Sequence, residues 1–210
     1  GTYEGTIKDF DVKGDFAFDE NFLAIDAHMD DFDDLEKTTY SGILASESID
    51  IKKILGIAEL GMVKFNTTLS GTGLTAKTLN ADIAGEINYI DLNGYRFQNI
   101  LLDGHVKNRN FDGLATVRDP NLGLDFAGGF DFSGDTILSD FKTKITNANV
   151  FALGYSEAEM AILNLEADID FDVYEDSWWD GTINIFNITY ESIDRFYFFD
   201  TLQLASTKVK

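Results

Sequence analysis

Cysteine is absent and proline occurs once in 210 residues. Without cysteine there is no disulfide framework, no thiolate zinc site and no cysteine nucleophile. An oxidising compartment stays open; the fold simply needs no staple there. With Pro120 as the single proline, few positions interrupt long pairing ladders, because proline alone lacks the N–H that a ladder uses. Basic residues are scarce as well: 16 Lys+Arg stand against 37 Asp+Glu, a formal net charge of −21. That makes nucleic acid a poor partner, since phosphate binding needs a surplus of Lys and Arg. No stretch approaches the ~18 consecutive apolar residues of a membrane-spanning helix. No signal peptide opens the chain, which starts at Gly1-Thr2-Tyr3 and reads as a piece of something longer or as a processed product. Histidine is rare too. His28 and His105 stand 77 positions apart with no ligand spacing, so both read as ordinary surface or strand residues and no metal is expected. No G-x-S-x-G elbow, P-loop or dinucleotide fingerprint occurs, and no cofactor is expected.

What the chain has in abundance is alternation. From Asn121 the apolar residues fall at Leu122, Leu124, Phe126, Phe130 and Phe132, with Asp125 and Asp131 between them. From Ala161 they fall at Leu163, Leu165, Ala167, Ile169, Phe171 and Val173, separated by Asn164, Glu166, Asp168, Asp170 and Asp172. Leu79, Ala81, Ile83, Ile87 and Tyr89 repeat the pattern, and Leu23, Ile25, Ala27 and Met29 give a shorter version. A period of two sends successive side chains to opposite faces of a sheet, so each strand has one apolar face and one face crowded with carboxylates. Such one-sided strands belong to antiparallel sheets rather than to the doubly buried sheet of an α/β protein.

Asn93-Gly94, Asp112-Gly113, Ser133-Gly134 and Asp180-Gly181 read as hairpin dipeptides, and Pro120 as a turn or strand entry. Consecutive strands then form an antiparallel meander. One segment departs from the rule: Ile51, Ile54, Leu55 and Ala58 have i, i+3, i+4, i+7 spacing and predict a short amphipathic helix over about 49–60. Ser48 or Asp50 can cap its start and Gly61 can end it. Glycine followed by alternating apolar residues recurs at Gly14, Gly85 and Gly129, but no strict period supports a propeller or a leucine-rich solenoid. No linker divides the chain, and 1–210 reads as one domain.

The dense run Asp30-Asp31-Phe32-Asp33-Asp34 lacks the glycine and terminal Glu of a calcium loop and reads as a solvated turn. Regularly alternating carboxylates look like the wet face of strands, so the chain reads as non-enzymatic. Of Trp178 and Trp179, at most one joins the apolar surface; a sugar platform using Asp176 and Asp180 is the functional alternative. Phe196-Tyr197-Phe198-Phe199 reads as a strand with aromatic residues on both faces.

The helical pattern at Ile51–Leu60 is followed by Gly61-Met62-Val63, Gly71-Thr72-Gly73-Leu74 and Leu79-Asn80-Ala81-Asp82-Ile83-Ala84-Gly85-Glu86-Ile87. Then come Gly94-Tyr95, Asp103-Gly104, Phe111-Asp112-Gly113 and Asp119-Pro120-Asn121-Leu122-Gly123-Leu124-Asp125-Phe126-Ala127-Gly128. In this order the stretch from Gly56 to Phe132 resembles the AsmA-like/TamB family (translocation and assembly module), in its Bacteroidota form. The resemblance implies an interior or C-terminal-half segment of a much longer periplasmic protein, anchored in the inner membrane and reaching the outer membrane. It implies an antiparallel sheet curved into a taco-like trough with an apolar concave face. It further implies a BamA/TamA-type outer-membrane barrel as partner, with roles in outer-membrane protein assembly and phospholipid transport.

Residue pattern and resemblance converge on a hydrophobic groove for phospholipid acyl chains or hydrophobic polypeptide. Its candidate lining is Leu122, Leu124, Phe126, Phe130, Phe132, Leu163, Leu165, Ile169 and Phe171. The competing expectation is a structural or carbohydrate-binding β-domain whose apolar stripes close into an ordinary core.

Overall fold

In the computed structural model, residues 1–19, 21–55, 58–75, 77–157, 159–174 and 178–207 are described. The chain divides into two compact units, Gly1–Arg109 and Asn110–Lys210. In the first, β1 (Thr2–Gly5), β2 (Asp9–Phe18), β3 (Asn21–Asp30), β4 (Thr39–Asp50), β5 (Leu60–Thr72), β6 (Asn80–Leu92) and β7 (Tyr95–Lys107) pair antiparallel in chain order. In the second, the same holds for β8 (Asn110–Asp119), β9 (Leu122–Asp131), β10 (Ile137–Asn149), β11 (Ile162–Val173), β12 (Trp179–Glu191) and β13 (Phe196–Ser206). The fold is all-β, an open antiparallel meander as the alternation predicts, with one short helix among the described residues.

Turn chemistry explains part of this order. Asn93-Gly94 joins β6 to β7 with φ of 51° and 81°, the left-handed pair that a two-residue hairpin needs. Pro120-Asn121 joins β8 to β9, where the Asn121 amide donates to Asp119 Oδ1 at 2.8 Å. Two other dipeptides are not turns. Asp112-Gly113 lies inside β8 and Asp180-Gly181 inside β12. Gly181, at φ +132°, is required because a Cβ there would sit 2.2 Å from the Asp170 carbonyl on the neighbouring strand. Its glycine marks close strand approach rather than chain reversal.

The helix is shorter than its spacing predicts. It occupies Ile51–Leu55. β4 keeps pairing through Ile49↔Val63 and Asp50↔Met62, so the ladder claims residues that the helical pattern would have used. Asp50 is the cap, its Oδ1 accepting from the Lys53 amide at 3.4 Å. Gly61 lies within β5 and ends no helix. The side chains of Ile54 and Leu55, and residues 56–57, lie outside the described residues.

β-Bulges set which residues share a face. Ser46 and Ile49 of β4 both look onto the apolar face, opposite Phe65 and Val63 of β5, because the strand carries an extra residue between them. Ile87 and Ile90 of β6 are related in the same way. This overturns one reading from alternation: Tyr89 falls on the carboxylate face, opposite Lys64 and Gln98. The second unit repeats the device. Ile145 and Ala148 of β10 face Leu165 and Leu163 of β11, each standing 100 positions later in the chain than Phe65 and Val63. In β6–β7, Ile87 pairs Ile100 and Ile90 pairs Phe97; in β12–β13, Ile185 pairs Leu202 and Ile188 pairs Phe199. β2–β7 and β8–β13 are thus matching six-stranded modules, related in register more closely than in sequence.

Few side chains are fully buried. Among the described residues the buried apolar set is Phe10, Tyr40, Ile49, Val63, Ala81, Val117, Ala148, Ala161 and Ala167. Most apolar side chains on the apolar face of each unit are half-buried instead.

Close strand approach makes one substitution diagnostic. A Cβ at Gly128 would meet the Asp140 carbonyl at 2.3 Å and Phe141 Cα at 2.5 Å, and φ there is +135°. Gly128→Ala is expected to destabilise by about 1–3 kcal/mol or more, read as a lowered urea midpoint with unchanged m-value.

Candidate functional site: an apolar wall

The candidate lining residues lie on β9 and β11, and β10 joins them. Cross-strand partners share a face, and four rungs run straight across: Leu124–Ile145–Leu165, Phe126–Thr143–Ala167, Gly128–Phe141–Ile169 and Phe130–Ser139–Phe171. All nine sequence-predicted residues belong to this face. Eight are half-buried, and Phe132, just past the end of β9, is 40 % exposed. None is buried.

Phe141 supplies what alternation in β9 and β11 does not. Its ring centroid lies 5.3 Å from Phe126 and 5.2 Å from Phe130, filling the notch that Gly128 leaves opposite it. Phe126 and Phe130 stack at 5.8 Å, and Phe132 stacks on Phe130 at 6.0 Å. Such contacts are worth about 0.5–1.5 kcal/mol each beyond area. The face continues through Ile183 and Ile185 of β12 to Leu204 and Leu202 of β13. Trp179 closes one end in a T-shaped contact with Phe171 at 6.5 Å, whereas Trp178 is 46 % exposed. Asp176 lies outside the described residues.

The first unit carries an equivalent face that the candidate lining omits. Ile25–Leu44–Thr67–Gly85–Leu102 and Phe10–Met29–Tyr40–Gly71–Ala81–Val106 are two of its rungs. The signal was present in Leu23–Met29 and Ala81–Ile87; what hid the rest was interruption of alternation by bulges and glycines.

The opposite face carries the charge. In the second unit, Lys142 meets Asp168 at 3.1 Å, Lys144 meets Glu166 at 2.8 Å and Arg118 meets Asp125 at 2.5 Å. Leu114, Ala127 and Phe186 floor a shallow cleft among them, so this face is not uniformly polar. In the first unit, Lys13 pairs with Asp26, Lys64 with Glu47, and Arg96 with Asp91. Exposed pairs of this kind contribute little, because water and salt screen them. Both histidines sit opposite an aspartate: His28 Nδ1 lies 3.0 Å from Asp11 Oδ1, and His105 Nδ1 lies 2.7 Å from Asp82 Oδ1. The Asp11 hydrogen bond holds His28 above its ordinary pKa of 6.5.

The chain matches no protein-family model, no curated protein and no solved structure. Among the described residues no helix is long and apolar enough to cross a membrane.

The Asp91–Arg96 pair gives a pH test. Arg96 Nε and a second guanidinium nitrogen donate to Asp91 at 2.6 and 2.8 Å, and the guanidinium lies 4.1 Å above the Tyr89 ring. The Arg96 hydrogen bond lowers the Asp91 pKa from 3.8, against the raising effect of burial. A lowered carboxyl stabilises fully above its unfolded value and loses that contribution as pH falls through the folded one. Asp91→Asn is therefore expected to lower Tm slightly at neutral pH, by no more than about 1 kcal/mol of stability. The gap to wild type should close as the pH drops below 3.8.

Proposed function

We propose that the chain is a non-enzymatic segment of a cell-envelope protein whose apolar wall shelters phospholipid acyl chains, or hydrophobic polypeptide, on their way across the periplasm. The observation that carries this reading is that none of the nine candidate lining residues is buried: eight are half-buried and Phe132 is exposed. A closed sandwich would bury Leu124, Phe126, Ile169 and Phe171; here each keeps accessible surface on the same face.

The energetics fit a conduit. Moving an acyl chain of about fifteen methylenes into water costs on the order of 12 kcal/mol at ~0.8 kcal/mol per methylene. A wall that contacts the chain along its length offsets part of that continuously. Hydrophobic contact is non-directional, so an alkyl chain can slide without breaking oriented bonds. The matching modules offer the same kind of surface twice, with no single tight site to trap cargo. The TamB-like resemblance supplies the setting: a longer protein anchored in the inner membrane, meeting a BamA/TamA-type barrel at the outer membrane. The closed-core alternative is disfavoured by the exposure of the lining, and a sugar platform on Trp179 by its engagement with Phe171.

The test combines a variant with a probe. Phe126→Asp should retain the β-type circular dichroism spectrum and cooperative unfolding, while weakening binding of a fluorescent lysophospholipid at least several-fold. A benzoylphenylalanine at Phe171 should crosslink to the same probe. Loss of several kcal/mol and unfolding of Phe126→Asp, or failure of wild type to take up the probe, would overturn the proposal.

A further inference from the structure

Three carboxylates converge on one imidazole at the other face of the first unit. The β2–β3 register sets Asp9 opposite Asp30 and Asp11 opposite His28, so all four side chains share the carboxylate face. His28 Nδ1 is 3.0 Å from Asp11 Oδ1; Nε2 is 3.1 Å from Asp30 Oδ2 and 3.9 Å from Asp9 Oδ1. We infer that His28 Nε2, Asp30 and Asp9 form a binding site for a divalent cation of the zinc class, with Asp11 orienting the imidazole from behind.

Four arguments lead there. The first is register. Asp9 stands directly across from Asp30 and Asp11 directly across from His28, so one ring nitrogen and two carboxylates are held together on one face. The second is charge. Asp9 and Asp30 are like charges directly across a strand pair, which is destabilising unless a cation stands between them. Lys13 and Lys8 are engaged elsewhere, with Asp26 and Asp33.

The third is distance. Tetrahedral zinc with bonds of about 2.0–2.1 Å holds its ligand atoms about 3.3–3.4 Å apart. The two Nε2–oxygen separations straddle that value, and all three ligand atoms lie within 4.8 Å of one another. The fourth is the outer contact: a carboxylate accepting the remote ring N–H is the usual support of a metal-bound histidine. One nitrogen and two carboxylate oxygens suit zinc, cobalt or nickel better than calcium, which prefers six or more oxygens.

The fold supplies two internal comparisons. In the second module, Gly129 stands opposite Asp112 and Asn110 opposite Asp131, so the orienting aspartate has a counterpart but the imidazole does not. His105 faces Asp82, and among the described residues only the His28 group brings three such ligand atoms together.

The experiment is titration of the chelator-treated full chain with Zn²⁺, following both histidine side chains by long-range ¹H–¹⁵N NMR, and with Co²⁺ by visible absorption. The expected result is saturation at one ion per chain, a shift of His28 Nε2 with His105 unmoved, and tetrahedral cobalt bands. Asp30→Asn and Asp11→Asn should each weaken binding about tenfold or more with unchanged circular dichroism. Parallel, unsaturating shifts of His28 and His105, or Asp→Asn variants that bind like wild type, would overturn the site. The outcome is independent of acyl-chain binding on the opposite face, because wild-type NMR alone reports it.

Discussion

A single sheet has two faces and, without a second layer, neither can be fully withdrawn from water. That constraint governs this chain. Antiparallel pairing of alternating sequences collects the apolar side chains on one face of each unit, where they bury one another sideways rather than under a lid. The Phe126–Phe141–Phe130 cluster shows the mode: rings on adjacent strands cover each other's edges while their outward surfaces stay accessible. Stability then rests on lateral contacts and on the backbone ladder, and the accessible apolar surface follows as a consequence of the architecture.

Because lateral contact is all there is, register becomes decisive. A slip of one residue would turn every leucine toward water and every aspartate toward the wall. Short connections such as Asn93-Gly94 and Pro120-Asn121 fix the register locally. The bulges then correct it where alternation fails, keeping Ile87 with Ile90 and Ile145 with Ala148 on the apolar side. They also bend and twist their strands. The same bulge line in both modules indicates that backbone geometry, rather than any particular side chain, is what the two halves share.

The strands and their apolar faces were legible in the sequence wherever alternation ran unbroken, as in β9 and β11. Phe141 and Ile145 of β10 escaped notice because Ser139 precedes them, Thr143 separates them and a bulge follows, so no run of apolar residues marks that strand. Tyr89 was misplaced because an extra residue in a strand leaves no sign in hydropathy. Asp112-Gly113 and Asp180-Gly181 imitate turns, since glycine serves equally where a neighbouring carbonyl comes too close for a Cβ. The helix pattern was real but short, being overridden by the β4–β5 ladder at Ile49 and Asp50. The His28 cluster was invisible for a different reason: Asp9, Asp11, His28 and Asp30 become neighbours only through the β2–β3 hairpin register, which ligand spacing along one strand cannot express.

Charge completes the account of a wall left open. An accessible apolar face invites association, and a net charge of −21 opposes it by mutual repulsion between copies. The repulsion is long-ranged at low salt and fades beyond about 10 Å at 0.1 M, so it hinders encounter between copies without weakening short-range apolar contact. β13 depends on this most, since Phe196, Phe198 and Phe199 are all exposed and few charges interrupt its sequence. Within the sheet the same charge must be made tolerable, and the cross-strand pairs of Lys142, Lys144, Lys13 and Lys64 do so one rung at a time. The lysines are too few to match every carboxylate. Where none is free, at Asp9, Asp11 and Asp30, a histidine stands in the register position instead, and it brings to that place a nitrogen ligand that no lysine would provide.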